Sequence, residues 1–178
     1  MPPENLQYPI GRFTPSENYS PAEINGCINR IESFPDKLDA VVAQLAGQHL
    51  DRSYRPGGWT CRQVIHHLAD SHMNAYIRCK WILTEDTPVI KAYNEKAWAG
   101  TEETRSDPAL SVRLIRALHH KWVALLRSLS ADQLERRFVH PETQKTVRLA
   151  DLIALYAWHG EHHLAHLRVV LRNSATPE

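Results

Sequence analysis

Cysteine is scarce in this 178-residue chain, with only Cys27, Cys61 and Cys79 present. Three widely spaced cysteines offer neither a disulfide framework nor a Cys-x-x-Cys metal knuckle, so they read as reduced and mostly buried. No apolar run approaches the roughly 18 residues of a membrane span. The opening MPPENLQYPIGRFTPSENYS also lacks the basic-then-apolar pattern of a secretion signal. The expectation is a cytoplasmic protein with no membrane partner. An excess of charge is missing too: 21 Lys plus Arg stand against 20 Asp plus Glu, a formal net charge of +1. With no block of like charge to track phosphates, nucleic acid is not expected as a partner. A Gly-rich phosphate loop and a Gly-x-Ser-x-Gly nucleophile elbow are both absent.

What the chain does contain is helix. Its 43% hydrophobic and 23% charged content suits one folded domain over residues 1–178, with residues 1–20 as an extended N-terminal arm. Ser20-Pro21-Ala22-Glu23 combines an N-cap serine, proline at the first helical position and glutamate three after the cap. It predicts a first helix from about residue 21 to 46, kinked or restarted at Pro35 and stopped by Gly47. Thr60 with Gln63 forms a second capping box, for a helix to about Leu83. Asp107-Pro108 opens a third to about Leu129, and a fourth runs from near Leu149 to about Arg172, with Arg148 a poor cap. Before the fourth, FVHPETQKTVR alternates around a turn and predicts a small hairpin. The fold class is therefore all-α, a four-helix bundle. Its long loop between helices two and three, residues 84–106, must cross the bundle or cover something, with Tyr93 and Trp98 as lid residues or as anchors of a strap.

Histidine is the residue in surplus. WHGEHHLAHL, residues 158–167, holds four of the eleven. With Leu152 at 0° and 100° per residue, His159 and His163 fall at about 340° and 20°, in the middle of the buried stripe. His166 is also inward, at about 320°, His162 lies toward an edge, and Glu161 points to solvent. A core imidazole with an unpaired nitrogen costs about 1–3 kcal/mol, and two neighbours cannot both be charged there. Residues at i and i+4 project in parallel, so one metal ion would satisfy both. A third ligand is available in helix two, where His67 sits on the boundary between an apolar and a polar stripe, with Asp70 placed to orient it or a bound water. His66 and His72 fall on other faces. The pairs His119-His120 and His140-Pro141 read as surface, and Trp59 and Trp158 as packing. Zincin and di-iron motifs fail: Gly160 occupies the position where a zincin has glutamate, and Glu161 is followed three residues later by Leu164.

GGWTCRQVIHHLADSHMNAYIR, together with YPIG, YNEKAW and YAWHGEHHLAHL, resembles the YfiT branch of the DinB-like superfamily over nearly the whole chain. The resemblance implies a bundle binding one divalent metal, zinc or nickel, through His67, His159 and His163. It also implies a metal-dependent hydrolase and a homodimer. Its relatives that move low-molecular-weight thiols imply an alternative, a bacillithiol-type S-transferase acting on electrophiles. A metal ion with an open position brings a bound water's pKa toward about 7, which suits hydrolysis, and the same position would take a thiolate. A non-catalytic metal-binding protein is the third class. Asp70 is the only carboxylate the sequence places near the ligands, and the partner is a small-molecule substrate that no residue identifies.

Overall fold

The computed structural model describes residues 6–45 and 47–174. Four long helices, α1 (Pro21–Val42), α2 (Cys61–Thr84), α3 (Ala109–Arg127) and α4 (Leu149–Ser174), form the bundle. A two-stranded antiparallel hairpin, β1 (Arg137–Val139) and β2 (Thr146–Arg148), pairs Phe138 with Val147 and leads directly into α4. The expected bundle and hairpin are both present.

Both capping boxes form. The Ser20 and Thr60 side chains accept from the backbone N–H groups of Glu23 and Gln63, whose own side chains reach back to the caps. Each satisfies N-terminal amides that the helix cannot satisfy itself. Just before α3, the Asp107 carboxylate accepts from the Ala109 N–H at 2.9 Å. Arg148 is held by Asp151 and by the carbonyls of Ser16 and Glu17, tying the N-terminal arm to the start of α4.

The first helix departs from expectation in two ways. It ends at Val42, and Gly47 opens a short helical turn, Gly47–Leu50, instead of closing α1; the expected end at residue 46 lies outside the described residues. Nor does Pro35 divide it: α1 is one helix of 22 residues. Proline at position 35 has no N–H to give the carbonyl four residues back, that of Ile31. That carbonyl has another donor, the imidazole of His119 at 2.7 Å.

Helix order explains the long loop. Helix α1 packs on α3 and α4, and α2 packs on the same two, so sequence neighbours α1 and α2 are diagonal. Contacts His66–Ser111 and His72–His119 run in the same direction along α2 and α3, which are therefore parallel. A chain joining parallel neighbours must return along the whole bundle, and a 24-residue helix is about 36 Å long. The connector does so as a strap. It pairs Val89 with Val139, takes hydrogen bonds from Arg78 to the Lys91 carbonyl and from Gln63 to the Ala99 carbonyl, and ends where Arg62 reaches the Ser106 carbonyl.

Packing divides the core into two apolar clusters along the bundle axis. One gathers Ile24, Ile28, Ile31, Ala75, Ile82, Trp122, Phe138 and Ile153. The other gathers Phe34, Leu38, Ile65, Leu68, Ile115, Leu164 and Leu167. On every helix the break between them falls at a layer holding His72, His119, His159 and His163. The candidate site lies in this layer.

Candidate metal centre

Helix α4 carries His159 and His163 one turn apart, and α2 presents His67 across from them. One ring nitrogen from each of the three lies within 4.8 Å of the others. The Nε2 atoms of His67 and His159 face each other at 3.4 Å. His67 and His163 are buried, while His159 is partly open. Burial pushes the His67 pKa down to about 4, with His162 adding to the effect. Burial, then the neighbouring imidazoles, push His159 and His163 well below their ordinary value. Three neutral imidazoles with converging nitrogens are a donor set for one borderline divalent cation such as zinc or nickel. Among the described residues, no carboxylate hydrogen-bonds to any of the three.

The remaining nitrogens of the α4 pair are occupied by further histidines. His159 Nδ1 lies 3.2 Å from His72 Nε2, and His72 Nδ1 lies 2.8 Å from His119 Nε2. His163 Nδ1 lies 3.3 Å from His166 Nδ1, and His166 Nε2 donates to the Gln7 carbonyl at 3.2 Å. His166 is thus an outer group behind His163, an arrangement its inward angle had allowed. His72 and His119 correct the sequence reading. His119 is fully buried and not on the surface, because the carbonyl freed by Pro35 gives its ring a partner inside the core. His72 faces the same layer as His159, since the α2 stripe turns toward both α3 and α4. A histidine at a helical position facing a proline-freed carbonyl was the signal available in the sequence.

Other sequence assignments fare unevenly. His66 is buried and pinned to Ser111 and the Ser106 carbonyl, away from the cluster. His162 is buried, stacked on Trp158 at 4.5 Å, and its Nδ1 has no hydrogen-bond partner among the described residues. His162, His163 and His166 also bring three nitrogens within 4.8 Å. That group borrows His163 from the first and spends His166 Nε2 on Gln7. Among the described residues the Asp70 carboxylate makes no hydrogen bond to His67. Burial raises its pKa to about 6, with Glu103 adding to the shift.

The cluster floors a cleft of about 490 Å³ whose walls include Tyr54, Arg55, Trp59, Glu95, Lys96 and Trp158. The Trp59 ring is 4.6 Å from His67, and Tyr54 stacks on His166 at 3.8 Å. The sequence reading missed Glu95 and Lys96. Both come from the helical turn Glu95–Trp98, which Asn94 caps by accepting from the Ala97 N–H. Although Glu95 is exposed, the protein packed around its carboxyl raises its pKa, with Arg78 opposing. Tyr93 and Trp98 pack on each other at 4.6 Å on the strap.

Residues 30–167 match the model of the DinB superfamily. The chain belongs to that superfamily. It is 46% identical over 169 residues, 94% of this chain and 95% of the other, to the Bacillus subtilis protein named "Putative metal-dependent hydrolase YfiT". A similarly named Oceanobacillus iheyensis protein is 51% identical, covering 92% of this chain and 94% of its own. The solved structure of B. subtilis YfiT, described as having an unusual four-helix bundle topology, superimposes with a TM-score of 0.94 at 45% identity. It covers 97% of this chain and 99% of that one. A mycothiol-dependent maleylpyruvate isomerase shares the fold at 15% identity and a TM-score of 0.65, over 84% of this chain and 66% of its own. Among the described residues no helix is long and apolar enough to cross a membrane.

Proposed function

We propose that this DinB-superfamily chain is a metal-dependent hydrolase whose single divalent ion, zinc or nickel, is held by His67, His159 and His163. The observation that carries this reading is the convergence of three neutral imidazoles, two buried and one partly open, on the floor of an open cleft. The names of the Bacillus and Oceanobacillus relatives support it. Structural zinc is normally closed by four protein ligands, and a three-ligand set leaves room for exchangeable water or substrate. Bound there, the ion would supply Lewis-acid polarisation. The protein supplies the rest. Arg55 and Lys96 give the cleft a cationic wall for an anionic part of the substrate, and Trp59 and Tyr54 give it aromatic faces. Glu95 is the carboxylate of the same cleft, and its raised pKa suits it to accept a proton from an attacking water.

Metal content and turnover test the two halves of the reading. Purified protein should hold close to one divalent ion per chain, and His159→Ala should remove most of it while His162→Ala removes little. Glu95→Gln should lower kcat on a hydrolysed ester or amide without changing the metal content. Full metal retention in His159→Ala would sink the ligand assignment.

Among the described residues no carboxylate hydrogen-bonds to the three imidazoles, which favours a second reading, transfer of a low-molecular-weight thiol to an electrophile. The fold shared with the thiol-dependent isomerase is consistent with it. Turnover of an electrophile panel that requires added thiol would select this reading over hydrolysis.

A further inference from the structure

We propose that His72, His119 and His166 are positioning residues that fix the tautomers of both α4 imidazoles, so that His159 and His163 present bare Nε2 atoms to the cleft. This rests on the metal reading above only for its purpose, since the hydrogen bonds stand without it.

The direction of each chain is set at its far end by an atom that can only accept. The Ile31 carbonyl is 2.7 Å from His119 Nδ1, so that nitrogen carries the hydrogen. A neutral imidazole has one N–H, so His119 Nε2 is bare and accepts from His72 Nδ1 at 2.8 Å. His72 Nε2 is then bare and accepts from His159 Nδ1 at 3.2 Å. By the same rule, the nitrogen of His159 left without hydrogen is Nε2, the atom that faces His67. The outer chain runs identically. The Gln7 carbonyl fixes the hydrogen on His166 Nε2, His166 Nδ1 accepts from His163 Nδ1, and His163 Nε2 is left bare. The imidazoles in the layer thus have one mutually consistent arrangement, the one that offers lone pairs to a cation.

The inner chain has its origin in Pro35. Any other residue at that position would bring an amide to close the helical bond to Ile31, and His119 would lose its sole claim to the carbonyl. Phe34, the neighbouring residue, stacks on both His72 at 5.2 Å and His119 at 5.4 Å, with its ring plane within 23° and 28° of theirs. His72 and His119 lie edge to edge, with centroids 5.0 Å apart and planes 13° from parallel, as an in-plane N–H···N bond requires. A proline inside a helix, normally costly, here creates the acceptor that orients a ligand two imidazoles away.

Long-range ¹H–¹⁵N spectra of histidine-labelled, metal-free protein read which ring nitrogen carries the hydrogen, and chelator competition reads the zinc affinity. Wild-type His159 and His163 should both be protonated at Nδ1. His119→Phe keeps ring volume and stacking but removes the anchor, and Pro35→Ala supplies the competing amide while favouring helix. Both should give mixed tautomers at His159. Zinc affinity should fall by about 10- to 100-fold in His119→Phe, and by less in Pro35→Ala. His120→Phe, on the exposed neighbouring position, should change neither. A wild-type His159 protonated at Nε2 would overturn the proposal, as would wild-type tautomers and affinity in Pro35→Ala, whose fold does not depend on His119. Should wild-type protein bind no zinc, the metal reading fails and the tautomer spectra alone decide this one.

Discussion

The apolar cluster around Leu38, Ile65 and Ile115 and the imidazole layer beside it are built from the same four helices, yet they are specified differently. Leu38, Ile65 and Ile115 are fully buried and held by contacts that depend on area and shape but hardly on direction. In the layer each ring has two polar atoms, and each atom has one permitted partner: a carbonyl, another imidazole, or the open cleft. The cluster tolerates substitution that keeps volume. The layer tolerates only substitution that keeps every proton in place. The stability of the bundle should therefore reside mainly in the clusters, and its chemistry in the layer.

The largest effect that separates the two is acidification of metal-free protein. His67, His119, His162 and His166 are each pushed down to about 4, chiefly by burial, from an ordinary value of 6.5. Because the folded pKa is lowered, the unfolded chain binds more protons between about pH 6.5 and 4, so stability rises with pH across that window and is lost as pH falls through it. Each group withdraws on the order of a few kcal/mol by the lower end, against a total of about 5–15 kcal/mol for a domain. The metal-free bundle should unfold before pH 4, as read by circular dichroism in chelator, while remaining folded at pH 7. A bundle still helical at pH 4 would mean that the layer opens to water and is not held neutral by burial.

Next in size is Ile65→Ala. Ile65 is fully buried in the second cluster, and truncation should cost about 2–5 kcal/mol in denaturant unfolding at pH 7. Zinc affinity of the folded protein should stay within about twofold, since Ile65 belongs to the apolar cluster and offers the layer no polar atom. A loss of zinc in step with the loss of stability would dissolve the distinction between the regions.

The same contrast explains what could be read from the sequence. The four helices, the hairpin and the two capping boxes were legible because they depend on period and local chemistry: Ser20 with Glu23, Thr60 with Gln63, and alternation around residues 138–148. The grouping of His67 with the i, i+4 pair on α4 was legible for the same reason, being helical geometry within each element. His72 and His119 were not, because their roles depend on which helices are diagonal and which parallel, and no local pattern carries that. Pro35 misled directly. As a local signal it predicts a broken helix, whereas in the bundle its freed carbonyl is satisfied from another helix. Glu95 and Lys96 reach the cleft only because α2 and α3 are parallel and the connector has to travel back past it.

The smallest expected effect tests whether cluster and layer meet at one residue. Gly160 follows His159 directly, and a Cβ there would lie 2.8 Å from Cδ2 and 2.9 Å from Cε2 of Phe34. Phe34 is itself 3% exposed, with its ring belonging to the second cluster while stacking on His72 and His119. It has nowhere easy to go. Gly160→Ala gains about 1 kcal/mol from helix propensity and loses about 1–3 kcal/mol from overpacking, so the net change should be a destabilisation of about 0–2 kcal/mol. If Phe34 clamps the imidazoles, that small cost should come with a measurable drop in zinc affinity, unlike the larger cost of Ile65→Ala. Adding Phe34→Leu to Gly160→Ala should relieve the clash but not restore affinity, because the stacking face is gone. Recovery of full affinity in the double variant would show that the ring only fills space, and that His72 and His119 are held in place by their hydrogen bonds alone.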